Sequence, residues 1–410
     1  MATPSAPTTE RTASADTPTP LSRVIAYLRP MGTPLGSVLF AFVVGAIVVV
    51  ATRGNALLAY ESLACGGFGI FCQNGENTAL QLSNTLVFTT PLILTGLAVA
   101  VAFRAGLFNI GAEGQLVMGA IAAAVVGIKL GTWPALILLP SVLIAGTLAG
   151  AAYGGLAGVL KAVTGAHEVV TTIMLNYVAL WASRYLIIGG PLQAPGAFNA
   201  SPPVAAGAQL PRLVPLNNNL LFGLPQSVFT AYTGIFVSLF GAAIYFFIMR
   251  RTALGYEITA VGQSQRAARY AGISVRRTIV VTMLISGAFA GLAGAVVLSG
   301  LSHSLVDTYF QDTTGFDAIA VSLLGQNTAI GVVLAAILFG ALHAGGQVME
   351  ADAQISHNLV FVLEALVLFS LAANFLRTFK FRLPAFGRSP TQPAELEAQD
   401  VVVGAADEPG

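Results

Sequence analysis

Charge is the scarcest property of this 410-residue chain: Asp, Glu, Lys and Arg together make up only 9% of it. Soluble domains carry about 25% charged residues because their surfaces face water. A chain this long with so few cannot coat itself for water, so its solvent must be the membrane. Histidine and cysteine are nearly missing as well, with four and two copies, too scattered along the chain for a metal framework. Net charge is +1, which leaves no whole-protein field pointing to nucleic acid. The lysines, Lys129, Lys161 and Lys380, follow Ile, Leu and Phe. A phosphate loop needs a Gly-Lys-Ser/Thr step, so the chain does not bind ATP in that way. Gly-x-Ser-x-Gly, His-Glu-x-x-His and paired-Cys metal patterns are absent too, and enzymatic chemistry is not supported.

What the chain does have is apolar length. Hydrophobic residues make up 55% of it, with 44 glycines and 24 phenylalanines, and small residues let membrane helices approach closely. The apolar runs are continuous rather than alternating, which argues against a β-barrel. Crossing a bilayer takes ~20 mostly apolar residues. Runs of that kind cover 34–52, 82–103, 107–128, 134–160, 168–188, 229–249, 279–300, 328–348 and 357–377, predicting an all-α polytopic membrane protein. The stretch 303–326 is ambiguous: it holds Asp307, Asp312 and Asp317, and its apolar second half is too short to cross alone. Residues 1–33 are rich in Pro, Thr, Ala and Ser and predict a disordered tail ending in a short interfacial helix near Leu21–Leu28. A cleaved signal peptide is the rival, but its apolar core would have to begin nearer the N-terminus.

Basic residues concentrate on the cytoplasmic side of inserted proteins. The segment 250–277 holds Arg250, Arg251, Arg266, Arg269, Arg276 and Arg277 against a single acid, Glu257, and is assigned to the inside. The flank with Arg377, Lys380, Arg382 and Arg388 and the tail with Arg11, Arg23 and Arg29 follow it. Both ends inside require an even number of crossings, so 303–326 counts as a tenth, broken span. That topology leaves only Arg53, Lys129, Arg184 and Arg212 of the 19 basic residues outside or near the outer edge. The transmembrane domain is then 34–377, with 378–410 a cytoplasmic tail. The outer loops include 53–81 and 189–228, the latter rich in Pro, Asn and Gly with Asn217–Asn219 in a row. Cys65 and Cys72 both fall in the first, where a disulfide is permitted; two unpaired small apolar residues are the equal alternative. Ionisable residues inside the runs are few: Glu113, Glu168, Arg184, His343 and Glu364. Buried hydrogen bonds and helix-end anchors are the plain account of these, and a proton relay the functional one.

The inner segment reads as a short amphipathic helix, Tyr256–Tyr270, with Ile258, Val261 and Ala268 apolar and Gly255 and Gly272 as reversal points. A helix flat under the membrane can dock on a soluble partner and pass on its movement; a merely basic loop is the plain account. Five blocks, FRAGLFNIGAEGQLVMGA (103–120), HEVVTTIMLNYVAL (167–180), ALGYEITAVGQSQRAARYAGIS (253–274), SGAFAGLAGA (286–295) and GFDAIAVSLLGQN (315–327), resemble the membrane permeases of bacterial ABC importers. The resemblance is to the branched-chain amino acid/ribose-type family, in its nucleoside and simple-sugar branch. It covers about residues 35–377, in order and at the family's spacing.

That resemblance implies a type II importer fold of about ten helices per subunit in a bacterial plasma membrane, with both termini cytoplasmic. It implies two permease subunits around one pathway, a heterodimer with a paralogous chain rather than a homodimer. Two cytoplasmic ATPase subunits, which bind ATP and Mg, and an extracytoplasmic substrate-binding lipoprotein complete the importer; this chain itself holds no cofactor and no metal. The ATPase grip falls on Gly255, Tyr256, Glu257, Ala260, Gly262, Arg266, Ala268, Arg269, Tyr270 and Gly272. A neutral nucleoside needs aromatic faces and amides or hydroxyls rather than fixed charge. Pathway candidates are Phe108, Asn109, Glu113 and Gln115 in the first block and Thr171, Thr172, Asn176 and Tyr177 in the second. Interhelical hydrogen bonding is the plain account of each, and Asn109–Gly114 reads alternatively as a helix break. An ion-coupled secondary transporter and a passive channel are the competing functional classes.

Overall fold

In lipid each backbone N–H must find a carbonyl within its own segment, so long apolar runs fold as helices. The computed structural model describes residues 32–52, 54–72, 78–214, 220–221, 224–225, 229–307 and 314–378. Along them run α1 (Gly32–Ala51), α2 (Ala56–Phe68), α3 (Thr78–Arg104), α4 (Ala112–Lys129), α5 (Ala135–Thr164) and α6 (Glu168–Ile187). Then come α7 (Gly234–Arg251), α8 (Ala253–Gln263), α9 (Gln265–Tyr270), α10 (Val275–Val297), α11 (Thr314–Leu324), α12 (Ala329–Ala353) and α13 (Asn358–Thr378). Two two-residue strands, Leu220–Leu221 and Leu224–Pro225, pair antiparallel between α6 and α7. Residues to Leu371 form one compact unit; of the second, from Ala372, only the end of α13 is described. The expected N-terminal tail and interfacial helix, Asn217–Asn219, and the C-terminal tail lie outside the described residues.

Seven described helices are long and apolar enough to cross a membrane: Pro34–Ala51 of α1, α3, α4, α5, α7, α10 with its extension to Ser302, and α12. The chain is a multi-pass membrane protein by that measure. Two further expected runs, 168–188 and 357–377, lie on α6 and α13, outside those seven. The second half of 303–326 is α11, whose 11 residues span only about 16 Å against a hydrocarbon core of about 30 Å.

The first expected outer loop, 53–81, requires correction: it contains α2, capped by Asn55 at its start and by Gly69 in a left-handed turn. Distance in sequence hid it, because its 13 residues are too few for a span and its packing partner, α12, lies far along the chain. Cys65 on α2 is disulfide-bonded to Cys72 just beyond it. The long 189–228 connection is not free-standing either. Its backbone bonds to the turn after α10, with Ser201 N–H donating to Leu305 (2.9 Å), Val204 to His303 (2.8 Å) and Leu210 to Ser299 (2.8 Å).

The core is organised around α3, which is buried on every side from Thr89 to Ala102; a helix apolar all round belongs in an interior. It packs against α2, α7, α10, α11 and α12. A second seam joins α5 to α10, where Gly146, Gly150 and Gly154 face Gly287 and Gly291. A Cβ on Gly150 would lie 2.7 Å from the Gly291 nitrogen, and one on Gly291 2.7 Å from the Gly150 Cα. The two backbones are in contact, the arrangement that four-residue glycine spacing permits in membranes. Outward faces are apolar: Leu136, Ile144 and Leu148 on α5, Leu39 and Ile47 on α1, Met174 and Trp181 on α6 are all exposed. Water does not tolerate patches of that size; lipid or a second membrane subunit does.

Candidate functional site

The segment between α3 and α4 is where the expected helix break occurs. Helix α3 ends at Arg104, Gly106 takes a left-handed φ of 69°, and α4 begins only at Ala112. The exposed stretch of backbone is satisfied by side chains. Asn109 Nδ2 donates to Gln115 Oε1 (2.9 Å) and Ser286 Oγ (2.7 Å), and Asn109 Oδ1 accepts from Gln115 Nε2 (3.1 Å) and the Gly111 N–H (2.9 Å). Ser286 Oγ passes the chain on to the Ala98 carbonyl at 2.6 Å. From α6, Asn176 clamps the same break: its Nδ2 donates to the Ile110 carbonyl (2.9 Å) and its Oδ1 accepts from the Gly114 N–H (2.8 Å). Glu113 Oε2 accepts from the Gly315 N–H at 2.6 Å, placing a carboxylate at the positive N-terminal end of α11.

Of the eight pathway candidates, then, Asn109, Glu113, Gln115 and Thr172 are buried within this network or, for Thr172, against the Glu168 carbonyl (2.7 Å). Asn176 and Thr171 are half-buried, Thr171 donating to the His167 carbonyl at 3.1 Å. Phe108 and Tyr177 are exposed, Phe108 resting on Phe103 with ring centroids 4.9 Å apart. The polar groups build the break and the two aromatics face away from the chain's own interior. Removing Asn109 would leave the Gln115 amide and the Gly111 N–H without this partner, while Ser286 keeps its bond to the Ala98 carbonyl. Each buried polar group left unpaired costs about 1–3 kcal/mol. Asn109→Ala is therefore expected to lower the thermal midpoint of the purified protein clearly more than Phe108→Ala; equal midpoints would refute the network.

The segment after α7 differs in detail from the single helix expected over Tyr256–Tyr270. It is two helices, α8 and α9, broken at Ser264, whose side chain caps α9 through the Ala267 N–H (3.3 Å). Gly272 is the anticipated reversal, with φ of 81°. Gly255 is not a reversal: it sits in the first turn of α8, buried against the α7 backbone at Ile248 and Met249, with its N–H bonded to the Thr252 hydroxyl. The expected apolar face holds: Ile258, Val261 and Ala268 are buried with Ala102, Leu107, Ile279 and Met283. Gly262 lies directly on the backbone at Arg104 and Ala105, so α8 presses on the end of α3 where the break begins. Glu257 and Ala260 are half-buried, while Arg266, Arg269, Tyr256 and Tyr270 project outward, Tyr270 with 95% of its surface free.

Arg104 carries the contact further. Its Nε and Nη2 donate to the Asn327 carbonyl (3.1 and 3.0 Å), which also accepts from the Tyr245 hydroxyl at 2.6 Å. Asn327 sits in a left-handed turn (φ 53°) between α11 and α12, so one carbonyl ties the end of α3 and the Tyr245 side chain of α7 to the turn after α11. Sequence reading placed Arg104 among the inner basic residues and did not foresee this lock.

Among the described residues, several ionisable groups of the helices stand beside a partner of opposite charge. Lys161 Nζ lies 2.7 Å from Glu168 Oε2, and Arg184 Nε lies 2.6 Å from Asp307 Oδ1 with its guanidinium over the Trp181 ring. His343 Nε2 stands 3.4 Å from Asp317 Oδ2 and 3.2 Å from Glu364 Oε1. This last grouping draws one residue from each of α11, α12 and α13, which spacing along the sequence does not reveal.

A helical membrane protein with a broken helix beside an exposed basic segment has the parts of a solute permease, and comparison with known proteins decides the point. The family model of the branched-chain amino acid transport system permease component matches residues 81–371. The chain belongs to that family. As a permease component it is a membrane transport subunit rather than an enzyme. It is 39% identical to the guanosine ABC transporter permease protein NupP of Bacillus subtilis over 84% of this chain and 94% of that one. It is 34% identical to the nucleoside ABC transporter permease protein NupB of Lactococcus lactis, over 85% of this chain and 92% of that one. The glucose ABC transporter permease protein TsgB13 of Haloferax volcanii is also 34% identical, over 90% of this chain and 94% of its own length. A second, more distant permease from each of the two bacteria matches at 29% and 26% identity. No solved structure matches the chain.

Proposed function

We propose that this permease forms the membrane pathway for nucleosides in an ABC importer of a bacterial plasma membrane. The observation that carries the substrate is its similarity, along nearly its whole length, to the guanosine and nucleoside permeases. Geometry is compatible with a neutral cargo: Lys161 pairs with Glu168 and Arg184 with Asp307, and the exposed groups beside the break are the rings of Phe108 and Tyr177. Stacking on aromatic faces suits a flat base. In this reading the chain crosses the bilayer ten times with both ends in the cytoplasm, 34–377 forms the permease body, and the Cys65–Cys72 disulfide lies on the oxidising side. The paired permeases in the two bacteria support a heterodimer with a paralogous chain.

Residues 253–272 are the coupling segment. A cytoplasmic ATPase, carrying ATP and Mg, grips Tyr256, Arg266, Arg269 and Tyr270, and an extracytoplasmic lipoprotein delivers the substrate. Closure of the ATPase dimer pushes α8 against the end of α3, and the two permease subunits rock between outward- and inward-open states. Energy thus enters through a protein–protein contact. The glucose permease among the relatives favours a second reading, a simple sugar.

Reconstituted vesicles holding this chain, its paralogue, the ATPase and the lipoprotein test both. Labelled guanosine is expected to accumulate only with ATP, unaffected by an ionophore and competed by unlabelled nucleosides rather than glucose. Competition by glucose alone selects the sugar reading. Accumulation by this chain without an ATPase, collapsed by an ionophore, makes it an ion-coupled transporter and ends the importer reading.

A further inference from the structure

Asp317, His343 and Glu364 do more than neutralise one another. From these residues we infer a divalent transition-metal site of the zinc class, holding one ion between α11, α12 and α13. One donor atom from each of Asp317, His343 and Glu364 lies within 4.8 Å of the other two. The two separations that involve the imidazole are 3.4 and 3.2 Å. Tetrahedral zinc with bonds of about 2.0–2.1 Å places its ligands about 3.3–3.4 Å apart. Imidazole and carboxylate are the ligand types that such an ion accepts.

Charge balance points the same way. The side chains of Asp317 and His343 are only 12% exposed and that of Glu364 6%. If both carboxylates ionise at that depth they carry two negative charges, and one imidazolium offsets a single one of them. A divalent ion bound by a neutral imidazole offsets both, which matters where charge is poorly solvated. A separate observation concerns Glu364: its Oε1 is buried, receives no hydrogen bond, and points at the His343 nitrogen. A carboxylate oxygen placed so is short of a cation.

The surroundings resemble those of a ligand set held in place. Phe88 stacks on the His343 ring at 5.7 Å and Phe361 meets its edge at 6.0 Å. These apolar walls fix the imidazole and restrict water, as the shell around a bound metal does. Glu364 lies six residues beyond Asn358, the first residue of α13, about 9 Å along the helix, so an ion need travel less than two turns from that end. Because the three ligands come from three helices, a bound ion would pin α11 and α13 to α12. The inference is independent of which solute the permease carries.

The test uses the purified full-length chain in detergent, tag removed, stripped with a chelator and dialysed against Zn²⁺. One zinc per chain is expected by elemental analysis, with the thermal midpoint raised. His343→Gln and the isosteric Glu364→Gln are each expected to weaken binding at least tenfold and to remove the thermal shift. Co²⁺ in place of zinc should give the intense visible bands of a tetrahedral site in the wild type alone. Should His343→Gln fail to fold, Glu364→Gln and Asp317→Asn carry the comparison. Failure of the wild type to retain zinc, undiminished zinc in the variants, or a weak octahedral cobalt spectrum would each overturn the site.

Discussion

Gly291→Val is expected to leave almost no folded protein. The seam between α5 and α10 has backbone on both sides at this position, with the Gly146 carbonyl and the Gly150 Cα inside the space that a Cβ needs. Overpacking typically costs about 1–3 kcal/mol where neighbours can shift. Here the neighbour is main chain within a helix, and relief requires the two helices to separate along their glycine face. Loss of close helix contact has no hydrophobic compensation in lipid, so a cost above about 3 kcal/mol, more than a hundredfold in the folding equilibrium, is expected. The matching control is Gly36→Val on α1, where an added Cβ meets nothing within 4 Å. Size-exclusion profiles in detergent should show the control monodisperse and Gly291→Val aggregated or absent. Equal yields and thermal midpoints would mean that the seam is looser than described.

The second large effect concerns the coupling segment. Tyr256 and Tyr270 are 68% and 95% exposed, and aromatic anchors at interfaces commonly contribute 2 kcal/mol or more each. Replacing both by alanine is expected to leave the permease's own thermal midpoint unchanged while lowering ATPase association by a hundredfold or more. Gly262→Val acts on the opposite face of the same segment. A side chain there would strike the Arg104 carbonyl and lift α8 from the end of α3. Its expected signature is retained ATPase binding and hydrolysis with uptake down at least tenfold. Pull-down of the ATPase and parallel hydrolysis and uptake assays separate the two variants. Normal ATPase association after loss of both tyrosines would remove 253–272 from the interface; coupled uptake in Gly262→Val would remove the contact with α3 from the transmission route.

Much of this was legible in the chain itself, for reasons of solvent. A backbone in lipid has few options beyond the helix, so runs such as 134–160 and 328–348 translate directly into α5 and α12. The apolar face of Ile258 and Val261 is equally readable, because helical periodicity holds over a few turns whatever lies above it, whereas Ala268 reaches the same cluster from a second helix beyond Ser264. A break over Asn109–Gly114 is suggested by its glycines; the structure places it at 105–111, with Ala112–Gly114 already in α4. Its purpose is not legible there: that Asn109 serves Gln115 and Ser286, and Asn176 serves Ile110 and Gly114, depends on helices distant in sequence. The helix Ala56–Phe68 was missed for the same reason, since a short segment is stabilised by its neighbour rather than by its own length.

Composition alone determined that the chain lives in a membrane, because so few charged residues cannot coat so much apolar surface for water whatever the fold. Only the tertiary structure decided which polar side chains meet. Asp317, His343 and Glu364 converge, and Arg104 finds Asn327, through the packing of separate helices, and contact between helices depends on how their faces are rotated and crossed, which local sequence does not specify.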